Sequence, residues 1–253
     1  MKKLLLAAAV LIVLVGGALT ALNLAFDETK VETHTISEPV RAIVVKSDSG
    51  DVDLVPGDTP IEVRETQHYV FEQPTLERDV RDGVLTLDSR CGGNVVRCYS
   101  DLRVTVPAGV DVTVEADSGD VEARAIDVRS ARATSDSGDV RLELAGSQRL
   151  AWAHTDSGDV DVVAVDAREI DAQTDSGDVA VQAGASARRV AARTDSGDVR
   201  VTVPPGDYAV DARTDSGDTD IDGIARDDRA PRSIAAQTDS GDVTLRGAAN
   251  QPR

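Results

Sequence analysis

The sequence predicts an all-β fold: a single-sheeted-coil β-solenoid of about 20 residues per coil, following one N-terminal transmembrane helix. Three observations predict it. The tetrad Asp-Ser-Gly-Asp occurs eight times, apolar and polar residues alternate on both sides of each copy, and an uncharged apolar stretch opens the chain behind two lysines.

Residues 1–3 form a short stub with Lys2 and Lys3, and residues 4–26 are uncharged and mostly apolar. Those 23 residues would span about 34 Å as a helix, enough for a bilayer core of about 30 Å. Lysines before the stretch and Asp27 and Glu28 after it predict an N-inside anchor with everything from Asp27 onward outside the cytoplasm, at the cell surface. A cleaved signal peptide is the rival reading, for which Gly16, Gly17, Ala18 and Ala21 leave room. The length of the run and the lack of an Ala-x-Ala site favour a retained anchor. No cysteine near residue 20 is available for acylation.

Residues 27–111 read as a divergent N-terminal β module that caps the open end of the repeat. Strand-like segments run from Ile61 to Val70, Val84 to Leu87 and Leu102 to Val106. The two cysteines, Cys91 and Cys98, flank a Gly92-Gly93-Asn94 turn and predict a disulfide across a hairpin in an oxidising compartment.

Residues 112–246 read as the solenoid, and residues 247–253 as a tail. The tetrads place their first aspartate and glycine at Asp48 and Gly50, Asp117 and Gly119, Asp136 and Gly138, Asp156 and Gly158, Asp175 and Gly177, Asp195 and Gly197, Asp215 and Gly217, and Asp239 and Gly241. The last seven glycines are spaced 19, 20, 19, 20, 20 and 24 residues apart. A unit this short cannot bury its apolar face alone, so the units must stack. The recurrent small residues Ala133, Ala153, Ala172, Ala192, Ala212 and Ala236 suit a narrow coil in which two sheets approach closely. Corner residues sit at Gly146, Gly184 and Pro204-Pro205-Gly206. The long last spacing is expected to bulge from a corner around Arg226 to Arg232 and leave the stack undisturbed.

This pattern of an anchor, a Ser-Asp-Ser-Gly-Asp-Val turn, a segment Leu102-Arg-Val-Thr-Val-Pro-Ala-Gly and serial Thr-Asp-Ser-Gly-Asp-Val turns resembles the DUF4097 family over most of residues 40–246. The resemblance implies a β-solenoid at the cell surface. The family carries an adhesin label, and the resemblance brings no catalytic residues.

The tetrad reads first as turn chemistry: the first Asp accepts backbone amides two and three residues on, Ser does likewise, and Gly supplies a positive φ. A sharper reading is calcium, because equivalent carboxylates would stack about 4.8 Å apart and repel one another. Backbone amides, arginines such as Arg141 and Arg200, or Ca²⁺ would each offset that repulsion. Asp-Ser-Gly also resembles the aspartic-protease triplet, but that chemistry needs two carboxylates facing each other in a cleft. His34, His68 and His154 lack metal-ligand spacing. Trp152 and His154 share the outer face of one coil, where a tryptophan could stack on a sugar or pack under a connecting segment. The column Thr155, Thr174, Thr194, Thr214 and Thr238 falls in phase with the buried residues.

A net charge of −18 argues against nucleic acid and anionic membrane surfaces as partners, since both would repel it. Aromatic content of 2 % is too low for a thick globular core. The expectation is therefore a non-enzymatic surface protein, adhesin-like or structural in the envelope. It needs no cofactor, and its partners are the membrane through the N-terminal helix and envelope glycans or proteins. A carbohydrate-active or glycan-binding solenoid face and a calcium-stabilised repeat are the alternatives.

Overall fold

The computed structural model describes residues 28–92, 97–146 and 148–248. The expected anchor over residues 4–26 lies outside them. Among the described residues no helix is long and apolar enough to cross a membrane.

The fold is a β-solenoid, and its coil is two-sheeted rather than single-sheeted: among the described residues 22 strands form two sheets of 11. Each tetrad joins a strand of one sheet to a strand of the other. In the Gly158 coil these are Leu150–Ser157 and Val160–Ala164, and in the Gly177 coil Glu169–Ser176 and Val179–Ala183. Alternation forces the division, because both strands must turn their apolar residues to one shared interior while the tetrad reverses the chain. Val160, Val162, Val179 and Val181 of one sheet face inward against Ala151, Ala153, Ile170 and Ala172 of the other, all at most 3 % exposed. The alanine column keeps the sheets close.

Neighbouring coils pair parallel and in register, as in Ala153 with Ala172 and Val162 with Val181. The order of coils in space departs from the order in sequence at both ends. The coil made by Val84–Arg90 and Cys98–Val106 lies outermost, with the Gly50 coil (Ala42–Ser47 and Val52–Pro56) between it and the Gly119 coil. At the far end the Gly241 coil (Ser233–Ser240 and Val243–Gly247) sits between the Gly197 coil and the Gly217 coil, which is outermost. The long last spacing thus belongs to a crossover, not to a bulge on an undisturbed stack. From Val203 to Asp207, four peptide steps reach about 13 Å, enough to skip one coil at two pitches of about 4.8 Å. The chain then returns through Ala225–Arg226, paired with Asp207 and Tyr208, to fill the place it skipped.

The disulfide forms, with Cys91 and Cys98 Cα atoms 5.8 Å apart, but not across a hairpin. Val84–Arg90 and Cys98–Val106 belong to different sheets, so the bridge closes the corner of the outermost coil. Ile61–Tyr69 and Glu28–Ile36 add antiparallel strands to one sheet there, and Thr75–Arg81 adds one to the other. The opposite end carries Asp220 and Asp222 on its edge, side chains 60 % and 75 % exposed, and charge of that kind blunts strand addition. The last strand runs through Gly247, and the Ala248 amide donates to the Val203 carbonyl.

Candidate functional site

The eight tetrads form one column along the stack. Gly158 shows why the third residue is glycine: its φ is +142°, and a Cβ would fall on the Gly138 carbonyl of the next coil, 2.6 Å from its carbon. The column runs from Gly50 through Gly119, Gly138, Gly158, Gly177, Gly197 and Gly241 to Gly217, each facing the carbonyl of its predecessor.

The carboxylate that holds the turn is the second aspartate of the tetrad, not the first. The Asp178 amide donates to Asp159 Oδ1 at 2.8 Å, the Asp159 amide to Asp139 Oδ1 at 2.8 Å, and the Asp139 amide to Asp120 Oδ1 at 2.8 Å. The ladder continues through Asp198, Asp242 and Asp218, and at the other end through Asp51 to Asp101 of the disulfide coil. The first aspartates are instead mostly solvent-facing. Asp48 accepts from the Cys91 amide, while Asp156 and Asp195 meet His154 and Arg193. The expected bonds to amides two and three residues on are replaced by bonds between coils, because the parallel register brings the next amide closer to the second carboxylate.

The threonine column, buried except at half-buried Thr214 of the outermost coil, completes the same corner. Thr155, Thr174, Thr194 and Thr238 hydroxyls donate at 2.8–2.9 Å to the glycine carbonyls of neighbouring coils. Arg200 bonds Asp198 Oδ2 at 2.9 Å, whereas Arg141 pairs with Asp161 on the sheet face. Amides, hydroxyls, His154 and the arginines Arg193 and Arg200 therefore meet the carboxylates and carbonyls of the column.

Among the described residues, the only three or more His, Cys, Asp or Glu donors brought within 4.8 Å of one another are Glu32, His34 and Glu65. Glu32 and Glu65 sit directly opposite on antiparallel strands. His34 Nε2 lies 3.5 Å from Glu32 and 3.8 Å from Glu65, and Glu65 accepts from the Ser100 hydroxyl. The same three donors could seat a divalent ion. The tetrads form no such group. His68 stacks on Tyr99 in the end coil. Trp152 has Arg132 over its ring at 4.3 Å and His154 beside it at 5.8 Å, so one of its faces is already covered.

Opposite the tetrads lies a second column, of arginines, whose signal in the sequence is an arginine nine residues before the turn glycine. Arg129, Arg149, Arg168 and Arg188 line a groove of about 600 Å³. At its far end Arg232 stacks on Tyr208 at 4.2 Å and donates to its hydroxyl. Burial pushes the Tyr208 phenol up, against the pull of Arg232.

The profile of the Toastrack family, DUF4097, matches residues 20–246. The chain belongs to this family. No curated protein matches it. Among solved structures, this Toastrack chain is similar to a "putative adhesin" from Parabacteroides merdae at 15 % identity, covering 87 % of this chain and 96 % of that one with a TM-score of 0.48. One with the same description from Bacteroides fragilis is 15 % identical, covering 87 % and 97 % with a TM-score of 0.46. A "putative lipid binding protein" from Parabacteroides distasonis is 13 % identical, covering 89 % and 97 % with a TM-score of 0.34.

Proposed function

We propose that this Toastrack protein is a non-enzymatic, membrane-anchored extracellular solenoid that serves as an adhesin-like or structural element of the cell envelope. The observation that carries the reading is the apolar segment 4–26, with lysines before it and acids after it, ahead of a domain whose two cysteines are bonded to each other. A bonded pair suits an oxidising compartment. The adhesin descriptions of two of the structural relatives agree with it. Face acids are largely engaged with arginines, as in Arg141 with Asp161, Arg124 with Glu122 and Arg246 with Asp220, which supports a solvated face over a hydrolytic centre.

Protease added to intact cells producing the chain tests the topology. The expected result is digestion of the solenoid without lysis. A chain that survives on intact cells and is cut only after lysis contradicts the reading.

A further inference from the structure

Nine residues before each turn glycine stands an arginine in six of the eight coils: Arg41, Arg129, Arg149, Arg168, Arg188 and Arg232. Backbone bonds stack this corner as they stack the tetrads. The Arg149 amide donates to the Arg129 carbonyl at 2.8 Å, Arg168 to Gln148 at 3.1 Å, and Arg188 to Arg168 at 2.8 Å. The arginines therefore recur at the pitch of the coils, about 4.8 Å.

Their side chains are not all occupied. Arg129 bonds Asp111 Oδ2 at 2.8 Å and the Arg41 carbonyl, and Asp166 accepts from the Ser186 hydroxyl at 3.2 Å. Arg149, Arg168 and Arg188 make no side-chain hydrogen bond or ion pair among the described residues. Three exposed guanidinium groups one coil apart repel each other, in a chain whose net charge is −18. In the wall of the same groove Gln148 is 2 % exposed. Its Nε2 donates to the Ala145 carbonyl while its Oε1 has no donor. A second pocket, of about 290 Å³, shares Ser186 and Arg188 with the first and carries the groove on to Arg232.

We propose that this groove binds an acidic polysaccharide of the polyuronate type, with one carboxylate per coil seated on Arg149, Arg168 and Arg188, and with ring hydroxyls offered to Gln148 and Ser186. A guanidinium fork matches a carboxylate in plane and in donor spacing. A polymer with one carboxylate per sugar ring spaces its charges about as the coils space the arginines. Duplex DNA carries a charge every 1.7 Å or so along its axis, far denser than the column. Asp166 and the acidic bulk of the chain repel such a polymer more strongly than a sparse one. The proposal rests on the envelope reading above only in that the envelope is where such a glycan is met.

The test uses the full-length chain in non-ionic detergent, titrated calorimetrically with polygalacturonate fragments, neutral dextran, polyphosphate and duplex DNA. Polygalacturonate should bind, about tenfold or more weaker at about 300 mM salt than at about 50 mM, and dextran should not. Arg149→Ala/Arg168→Ala/Arg188→Ala should weaken binding about 20-fold or more. Arg193→Ala/Arg200→Ala/Arg213→Ala, away from the groove, should change it less than about threefold. Should the groove variant fold poorly, Arg168→Gln alone keeps the backbone bonds and should weaken binding about threefold. Gln148→Leu should also weaken polygalacturonate.

No binding of polygalacturonate by the unaltered chain, equal binding by the arginine variants, or equal affinity for polyphosphate or DNA would overturn the proposal. Failure here with a chain that protease reaches on intact cells sinks the groove alone. Binding here by a chain that protease cannot reach sinks only the surface reading.

Discussion

Gly158 meets two demands at once, a φ of +142° and a neighbour's carbonyl where its Cβ would be. Gly109 has a φ of +74° with nothing within 4 Å of the same position. Gly158→Ala should therefore cost about 2–4 kcal/mol and Gly109→Ala about 1 kcal/mol in urea unfolding. Equal losses would show that backbone conformation alone governs the turn. Thr174→Val keeps shape but removes the donor to the Gly158 carbonyl, and should cost about 1–2 kcal/mol. Asp159→Asn retains the acceptor for the Asp178 amide and should be nearly neutral, whereas Asp159→Ala should lose about 1 kcal/mol by the same measurement. The turn glycines are legible in the sequence because positive φ is a local property. The carbonyl against Gly158, and the exchange of roles between the two aspartates, are not, since both depend on what the next coil presents.

At the scale of elements, the alternation around each tetrad locates both strands of every regular coil, and Val84 and Leu102 open the expected segments of the disulfide coil. What the spacing of Cys91 and Cys98 does not reveal is that the strands they join lie in different sheets. A hairpin and a coil corner both bring chain ends together over a few residues, and only the partner strands distinguish them. Ser100 and Asp101 stand where other coils have Gly and Asp, and the Asp51 amide donates to Asp101. The bridge thus replaces a tetrad as the closure of the outermost coil. Cys91→Ser/Cys98→Ser should lower unfolding free energy by about 2–3 kcal/mol through the freed loop. Hydrogen exchange should rise first in Val84–Arg90 and Cys98–Val106. Exchange spread evenly along the stack would contradict a local closure.

For the whole molecule, each chain end threads a coil between two others, so the first and last tetrads both have neighbours on either side. A repeat with uniform spacing gives no hint of this, because equivalent coils offer equivalent edges. Only the 24-residue last interval and Pro204-Pro205-Gly206 mark the place. Ser196 pairs with Ser240 in the structure, and Ser216 with Ser240. Ser196→Cys/Ser240→Cys should therefore oxidise readily to a disulfide, while Ser196→Cys/Ser216→Cys, two pitches or about 10 Å apart, should not. Peptide mapping reads the outcome, and the opposite pattern would restore sequential stacking. The same ladder that orders the coils decides what the eightfold motif is for. Amides and hydroxyls meet its carboxylates and carbonyls, which makes the tetrads a scaffold that presents other surfaces. Thermal unfolding with millimolar calcium and with a chelator tests this most directly. The midpoints should agree within about 2 °C, and a shift of about 10 °C or more that persists in Glu32→Gln/Glu65→Gln would show that a row of ions holds the column.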